Sequence, residues 1–193
     1  MTLITGPLST QLGRPTSLDP EGLRDYLRSQ QQLLTNAFAD GVFIDYLLGT
    51  RAMVMDRVLC ELWIETGLSD KSLGLFGVGG YGRGELHPYS DVDILILGEQ
   101  RAIDTASEAL TAFTTRLWDF NLDIGNAVRS FDDCKALASR DITIATSLIE
   151  CRPIAAKIEM LEALETLAFD DSAWKTESFY WAKVAEQHER YAK

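Results

Sequence analysis

The 193 residues are enough for one domain of ordinary size with some helical extension, and a composition 46% hydrophobic and 24% charged supports a packed core. The net charge of −11 argues against nucleic acid as the main partner, because backbone binding requires clustered Lys and Arg. A nucleotide is not excluded, since backbone N–H groups and a metal can meet its phosphates.

Residues 1–17 are polar, with Gly and Pro, and read as a flexible N-terminus. Asp19-Pro20-Glu21 reads as a helix start, with Asp as cap and Pro in the first turn. From there to about Thr66, apolar residues such as Leu23, Leu27, Leu34, Leu47, Val58 and Leu62 recur at helical spacing. Gly41 and Gly49-Thr50 are candidate breaks, so two or three helices are expected, and Gly67 is a stop signal. The pattern then changes. Ser72–Val78 and Val92–Leu97 read as strands, Ile103–Phe120 as an amphipathic helix, and Leu122–Val128 as a third strand. Helices are expected over Phe131–Ala138, Thr143–Glu150, Lys157–Ala168 and Trp174–Tyr191. This divides the chain into a helical extension (18–70), a core (71–155) and C-terminal helices (156–193) that read as leading into further domains.

Cys60, Cys134 and Cys151 are scattered with no C-x-x-C spacing, which points to plain buried thiols in a reducing compartment and no structural zinc. With no signal peptide and no apolar run near about twenty residues, a cytoplasmic protein without membrane contact is expected.

The stretch GVGGYGRGELHPYSDVDILIL, Gly77 to Leu97, holds two competing signals. Gly77, Gly79 and Gly82 spell G-x-G-x-x-G, the dinucleotide-binding fingerprint, and Glu99 falls near the position of its acidic partner. That fingerprint needs a helix between the third glycine and the second strand. Only eight residues separate Gly82 from Asp91, and they include Gly84 and Pro88, so a helix spanning the sheet is ruled out.

Asp91 and Asp93 spell D-x-D at the start of a strand. Residues two apart on a strand point to one face, with Cα atoms roughly 6.5 Å apart. Two carboxylates converging beside an apolar run repel each other, and a divalent cation relieves that cost. Oxygen ligands with nothing soft nearby favour Mg²⁺ or Mn²⁺. Alone, D-x-D reads more often as a solvated strand end, or as Asp91 capping a turn after Ser90. Asp123 raises the signal: it lies thirty residues past Asp93, between Leu122 and Ile124 on the third strand, with one helix between. Three acids on adjacent strands can hold two metals for an in-line displacement at phosphorus.

Strand, Gly-Gly turn, short helix, D-x-D strand, helix and a strand with a third acid resemble the nucleotidyltransferase fold of the DNA polymerase beta superfamily. The fold class implied is α/β (α+β), with a small mixed sheet, an N-terminal helical extension and C-terminal helices. The wording of GVGGYGRGELHPYSDVDILIL is more specific. It resembles the transferase motif of the bifunctional uridylyltransferase/uridylyl-removing enzymes that modify the nitrogen-regulatory PII protein. LWDFNLDIGNAVRS, RDITIATSLIECRPI and ESFYWAKVAEQHERY are similar to that family in the same order, so the resemblance covers roughly Leu23 to Lys193.

That resemblance implies transfer of UMP from UTP to a tyrosine hydroxyl of PII, with release of pyrophosphate. Gly79 and Gly80 would hold the triphosphate on backbone N–H groups. Asp91, Asp93 and Asp123 would bind the metals, and Asp123 is the candidate base. Ser90 would contact phosphate. Arg83 either neutralises phosphate charge or pairs with Glu85 as a clamp, and His87 beside Pro88 reads as shaping the turn. The family also carries a phosphohydrolase domain and ligand-sensing domains. These residues contain only His87 and His188 and no His-Asp pair, so the removing activity is not encoded in them. An adenylyltransferase acting on PII or on glutamine synthetase, and a non-catalytic nucleotide-binding module, are the alternatives. Oligomeric state is left open.

Overall fold

A computed structural model describes residues 12–120, 124–169 and 176–191. Helix α1 (Pro20–Ala39) starts as its sequence implies: the Asp19 carboxylate accepts the Gly22 N–H at 2.7 Å, and Pro20 sits where no donor is required. Both long helices end alike. Gly41 and Gly67 take positive φ, and the residues after them, Val42 and Leu68, donate back to Ala37 and Trp63. These are left-handed glycine stops that satisfy the last carbonyls. Helix α2 (Ile44–Glu65) runs unbroken through Gly49-Thr50, against the break allowed for there. Thr50 is buried and its hydroxyl donates to the Tyr46 carbonyl at 2.7 Å. Packing of Leu47, Leu48 and Ala52 outweighs the roughly 1 kcal/mol that an interior glycine costs.

Strand β1 (Leu73–Gly77) is followed by the four-residue helix α3 (Gly79–Gly82) and strand β2 (Val92–Gly98), which lies antiparallel to β1. The helix expected over Ile103–Phe120 starts earlier and comes in two pieces, α4 (Gln100–Thr105) and α5 (Ser107–Asp119), meeting at buried Ala106. They carry the chain to β3 (Ile124–Ser130), which runs parallel to β2. Helices α6 (Phe131–Ala138) and α7 (Ile142–Ile149) then lead to a fourth strand, β4 (Arg152–Ala155), antiparallel to β1. The expected sheet had three strands; β4 is an addition. Pro153 has no N–H to give to a ladder, which hides the strand in the sequence. It is tolerated because β4 is an edge in the order β3-β2-β1-β4. Helices α8 (Ile158–Ala168) and α9 (Thr176–Tyr191) follow.

The result is a mixed α/β fold: a small, open, mixed four-stranded sheet with helices at both ends of the chain. Leu75, Ile94 and Ile96 bury one sheet face against Leu23, Val58 and Leu62 of α1 and α2 and Phe113 of α5. Phe76, Leu95 and Leu97 bury the other face against Cys134 of α6, Leu148 of α7 and Leu164 of α8. Burial pushes Cys60 and Cys134 up to about 11 and Cys151 up to about 12, so none is a thiolate at neutral pH. No helix among the described residues is long and apolar enough to cross a membrane.

Candidate active site

The glycine-rich turn is built by close backbone approach. Gly79 has φ +60, a left-handed conformation in which a side chain is strained. A Cβ on Gly82 would stand 2.8 Å from the Gly77 carbonyl oxygen and would strike the Glu150 carbonyl. Glycine is therefore required where the turn passes between β1 and the end of α7. The Gly82 N–H donates to Val78, and those of Arg83, Gly84 and Glu85 donate to Gly79, Tyr81 and Gly80. The N–H groups of the first turn, which include Gly79 and Gly80, have no acceptor within the helix, as at any helix start.

Asp93 stands beside this turn. The Val78 N–H donates to the Asp93 carbonyl at 3.0 Å, tying the turn to β2. By strand alternation the Asp93 side chain shares a face with Leu95 and Leu97, and it is exposed while its strand neighbours are buried. Its carboxylate lies between two glycines. One Oδ is 3.7 Å from where a Cβ of Gly79 would be. The other would overlap a Cβ on Gly125, its register partner on parallel β3. Partial burial, and then the charge of Asp91, hold the Asp93 carboxyl above its ordinary range. Asp91 itself is exposed and precedes β2.

The Ser90 hydroxyl donates to the His87 carbonyl at 3.0 Å, and its N–H to the same oxygen at 3.3 Å. That turn includes Tyr89 at φ 67 with its side chain fully exposed. Arg83 pairs with Glu85 at 3.0 Å and with Glu150 at 3.1 Å, while its guanidinium stays about half exposed. Asp123 lies outside the described residues. Ile124, next in sequence, pairs with Val92, and Gly125 pairs with Asp93.

Gly125 is the site residue that the sequence reading passes over. A glycine inside an otherwise good strand is the available signal, because it marks a close approach. Beside it a groove of about 360 Å³ runs from Asp93 past Gly125, Asn126 and Arg129 to Thr143 and Ser147 of α7. Among the described residues no group of three or more His, Cys, Asp or Glu side chains converges. The described part is a carboxylate pair, and its mutual repulsion, hard oxygen atoms and the gap left by two glycines suit a divalent cation.

Residues 57–131 match the family described as the nucleotidyltransferase domain. This chain carries a nucleotidyltransferase domain. The matched span runs from α2 to the first residue of α6 and so contains the glycine turn, Asp91, Asp93 and Asp123. The chain is 40% identical over 172 residues to the bifunctional uridylyltransferase/uridylyl-removing enzyme of Vibrio vulnificus strain YJ016, covering 86% of this chain and 20% of that protein. It is 43% identical over 148 residues to the enzyme of the same name from Vibrio campbellii, 76% of this chain and 17% of that one. With the Ectopseudomonas mendocina enzyme it shares 38% over 168 residues, 86% of this chain and 19% of that one. The chain spans about one fifth of the length of these curated relatives.

Proposed function

We propose that the nucleotidyltransferase domain moves UMP from UTP to a tyrosine hydroxyl of the PII regulatory protein, in the cytoplasm, with residues 71–155 as its core. The observation that carries the reading is the Asp93 carboxylate held between Gly79 of the turn and Gly125 of β3, next to Asp91. The uridylyltransferase names of its relatives supply the base and, with the PII-modifying family resemblance, the acceptor.

Gly79 and Gly80 direct N–H groups toward the triphosphate, as the start of a helix does for anions. Asp91, Asp93 and Asp123 would hold Mg²⁺ or Mn²⁺, which would supply Lewis-acid polarisation at the α-phosphate and charge screening for the pyrophosphate. The tyrosine oxygen attacks the α-phosphorus, and the bond to the bridging oxygen toward the β-phosphate breaks. Asp123 accepts the hydroxyl proton. Ser90 orients phosphate from the His87–Ser90 turn, and Arg83 steadies the turn while its exposed edge offsets phosphate charge. The groove beyond Asp93 takes the nucleoside.

The test uses the full-length protein with PII, Mg²⁺ and labelled UTP or ATP. Label from UTP should appear on PII with release of pyrophosphate, and Asp91→Asn with Asp93→Asn should abolish it. Wild-type labelling by that double variant would sink the assignment of the carboxylates. Preferential labelling from ATP would correct the base.

A further inference from the structure

Arg152 enters the molecule on β4, the strand that Pro153 conceals. Its guanidinium forks onto the Asp56 carboxylate of α2, Nη1 to Oδ2 at 2.6 Å and Nη2 to Oδ1 at 2.9 Å. The same Nη2 donates to the Tyr81 carbonyl at 3.3 Å, and the guanidinium carbon stands 5.2 Å from the centre of the Tyr81 ring. The Tyr81 hydroxyl donates to the other side of the pair, Asp56 Oδ1, at 2.5 Å. Three elements distant in sequence meet on one residue, and that residue directly follows Gly79 and Gly80.

Helix α3 needs such support. It is four residues long, and no side chain caps its start. A helix that short does not hold its own shape. Tyr81 anchors it: the side chain is buried, and burial together with the Asp56 carboxylate pushes the phenol well above its ordinary range, so it remains a donor at neutral pH. On the outer side Arg83 pairs with Glu150, and Gly82 lets the Glu150 carbonyl close in. Residues 150–152 thus grip the turn from both flanks.

We propose that Asp56, Arg152 and Tyr81 are positioning residues for nucleotidyl transfer. The Asp56–Arg152 pair locks Tyr81, and through it sets the Gly79–Gly80 backbone against Asp93 at the spacing that receives the triphosphate. The inference rests on the nucleotidyl-transfer reading. The three side chains act through the backbone of the turn and not on the reacting atoms. Loosening them therefore weakens the grip on nucleotide and leaves acceptor binding alone.

The experiment measures kcat and separate KM values for UTP and PII in the full-length protein, with thermal unfolding alongside, for Tyr81→Phe, Arg152→Lys and Asp56→Asn. Tyr81→Phe keeps the ring and removes only the hydroxyl, so it folds. Arg152→Lys keeps the charge and loses the fork. The expected result is a UTP KM raised about tenfold in Arg152→Lys and Asp56→Asn and about threefold in Tyr81→Phe, with the PII KM unchanged. A wild-type UTP KM in Tyr81→Phe and Arg152→Lys overturns the inference, as does a loss confined to kcat that tracks the folded fraction. A wild-type protein that releases no pyrophosphate from UTP with Mg²⁺ or Mn²⁺ overturns the nucleotidyl-transfer reading itself, and this inference with it.

Discussion

Asp93 is ionised at a cost that the fold bears. Its carboxyl is raised because it is partly buried and because Asp91 repels it. The ionised form is thus less favoured in the folded chain than in the unfolded one. That penalty is absent below the ordinary carboxylate value of 3.8 and grows as pH rises through the raised folded value. Asp93→Asn should therefore raise the unfolding midpoint at pH 7 and leave it unchanged at pH 3, while lowering transfer by about a hundredfold or more. Thermal scans at both pH values, beside a pyrophosphate-release assay, check the two halves. Gly125→Ala should move stability the other way. Its methyl group must push Asp93 aside or part β3 from β2, costing roughly 1–3 kcal/mol in urea unfolding and most of the activity. The proximity of Asp91 and Asp93 was legible in the sequence because residues two apart at the head of a strand lie close together on one side. Gly125 was not, because its meaning lies in what stands opposite, and register is not written in one strand.

At the scale of elements, the starts and stops of helices are local chemistry and read well. Asp19 and Asp141 cap α1 and α7, and Asp133 closes the capping box that Ser130 opens on α6, each accepting backbone or hydroxyl donors close by. Hydrogen bonds at these caps hold all three carboxyls below their ordinary value, for Asp133 chiefly those of Ser130. The sign is opposite to that of Asp93. The stability they lend is present above 3.8 and is lost as pH falls through the lowered folded values. Ser130→Ala removes one half of the capping box on α6 and should cost about 1 kcal/mol in urea unfolding at pH 7, with the cost shrinking as pH falls through the lowered folded value of Asp133. What sequence alone could not deliver at this scale were β4 and the unbroken α2. Both follow from tertiary placement: Pro153 is harmless only on an edge, and Gly49 is harmless only in a packed helix.

Across the whole molecule, the sheet separates two cores with different tasks. Trp63 and Phe113 meet edge to face at 5.4 Å and join α2 to α5 on the face away from Asp93. Phe113 is fully buried, so Phe113→Ala should cost about 3–5 kcal/mol, read from urea unfolding. The folded fraction should keep its KM for nucleotide, because the site stands on the other face. The small mixed sheet with helices at both ends was anticipated from the order of elements. The placement of Arg152 beneath the turn was not, since it depends on β4 crossing back beside β1.

The opposition of Asp93 and Gly125 has one more consequence. Of the residues in β3, Gly125 alone lacks a side chain, and it faces the one carboxylate of β2. If β3 slid two places along β2, Ala127 would be brought against Asp93, where even a methyl group does not fit. The contact that shapes the site thus also proofreads the pairing of the two parallel strands, which are slow to align because their partners are distant in sequence. A chain that slipped this pair by two places would meet that clash and lose the native register together, so the native alignment is favoured over it.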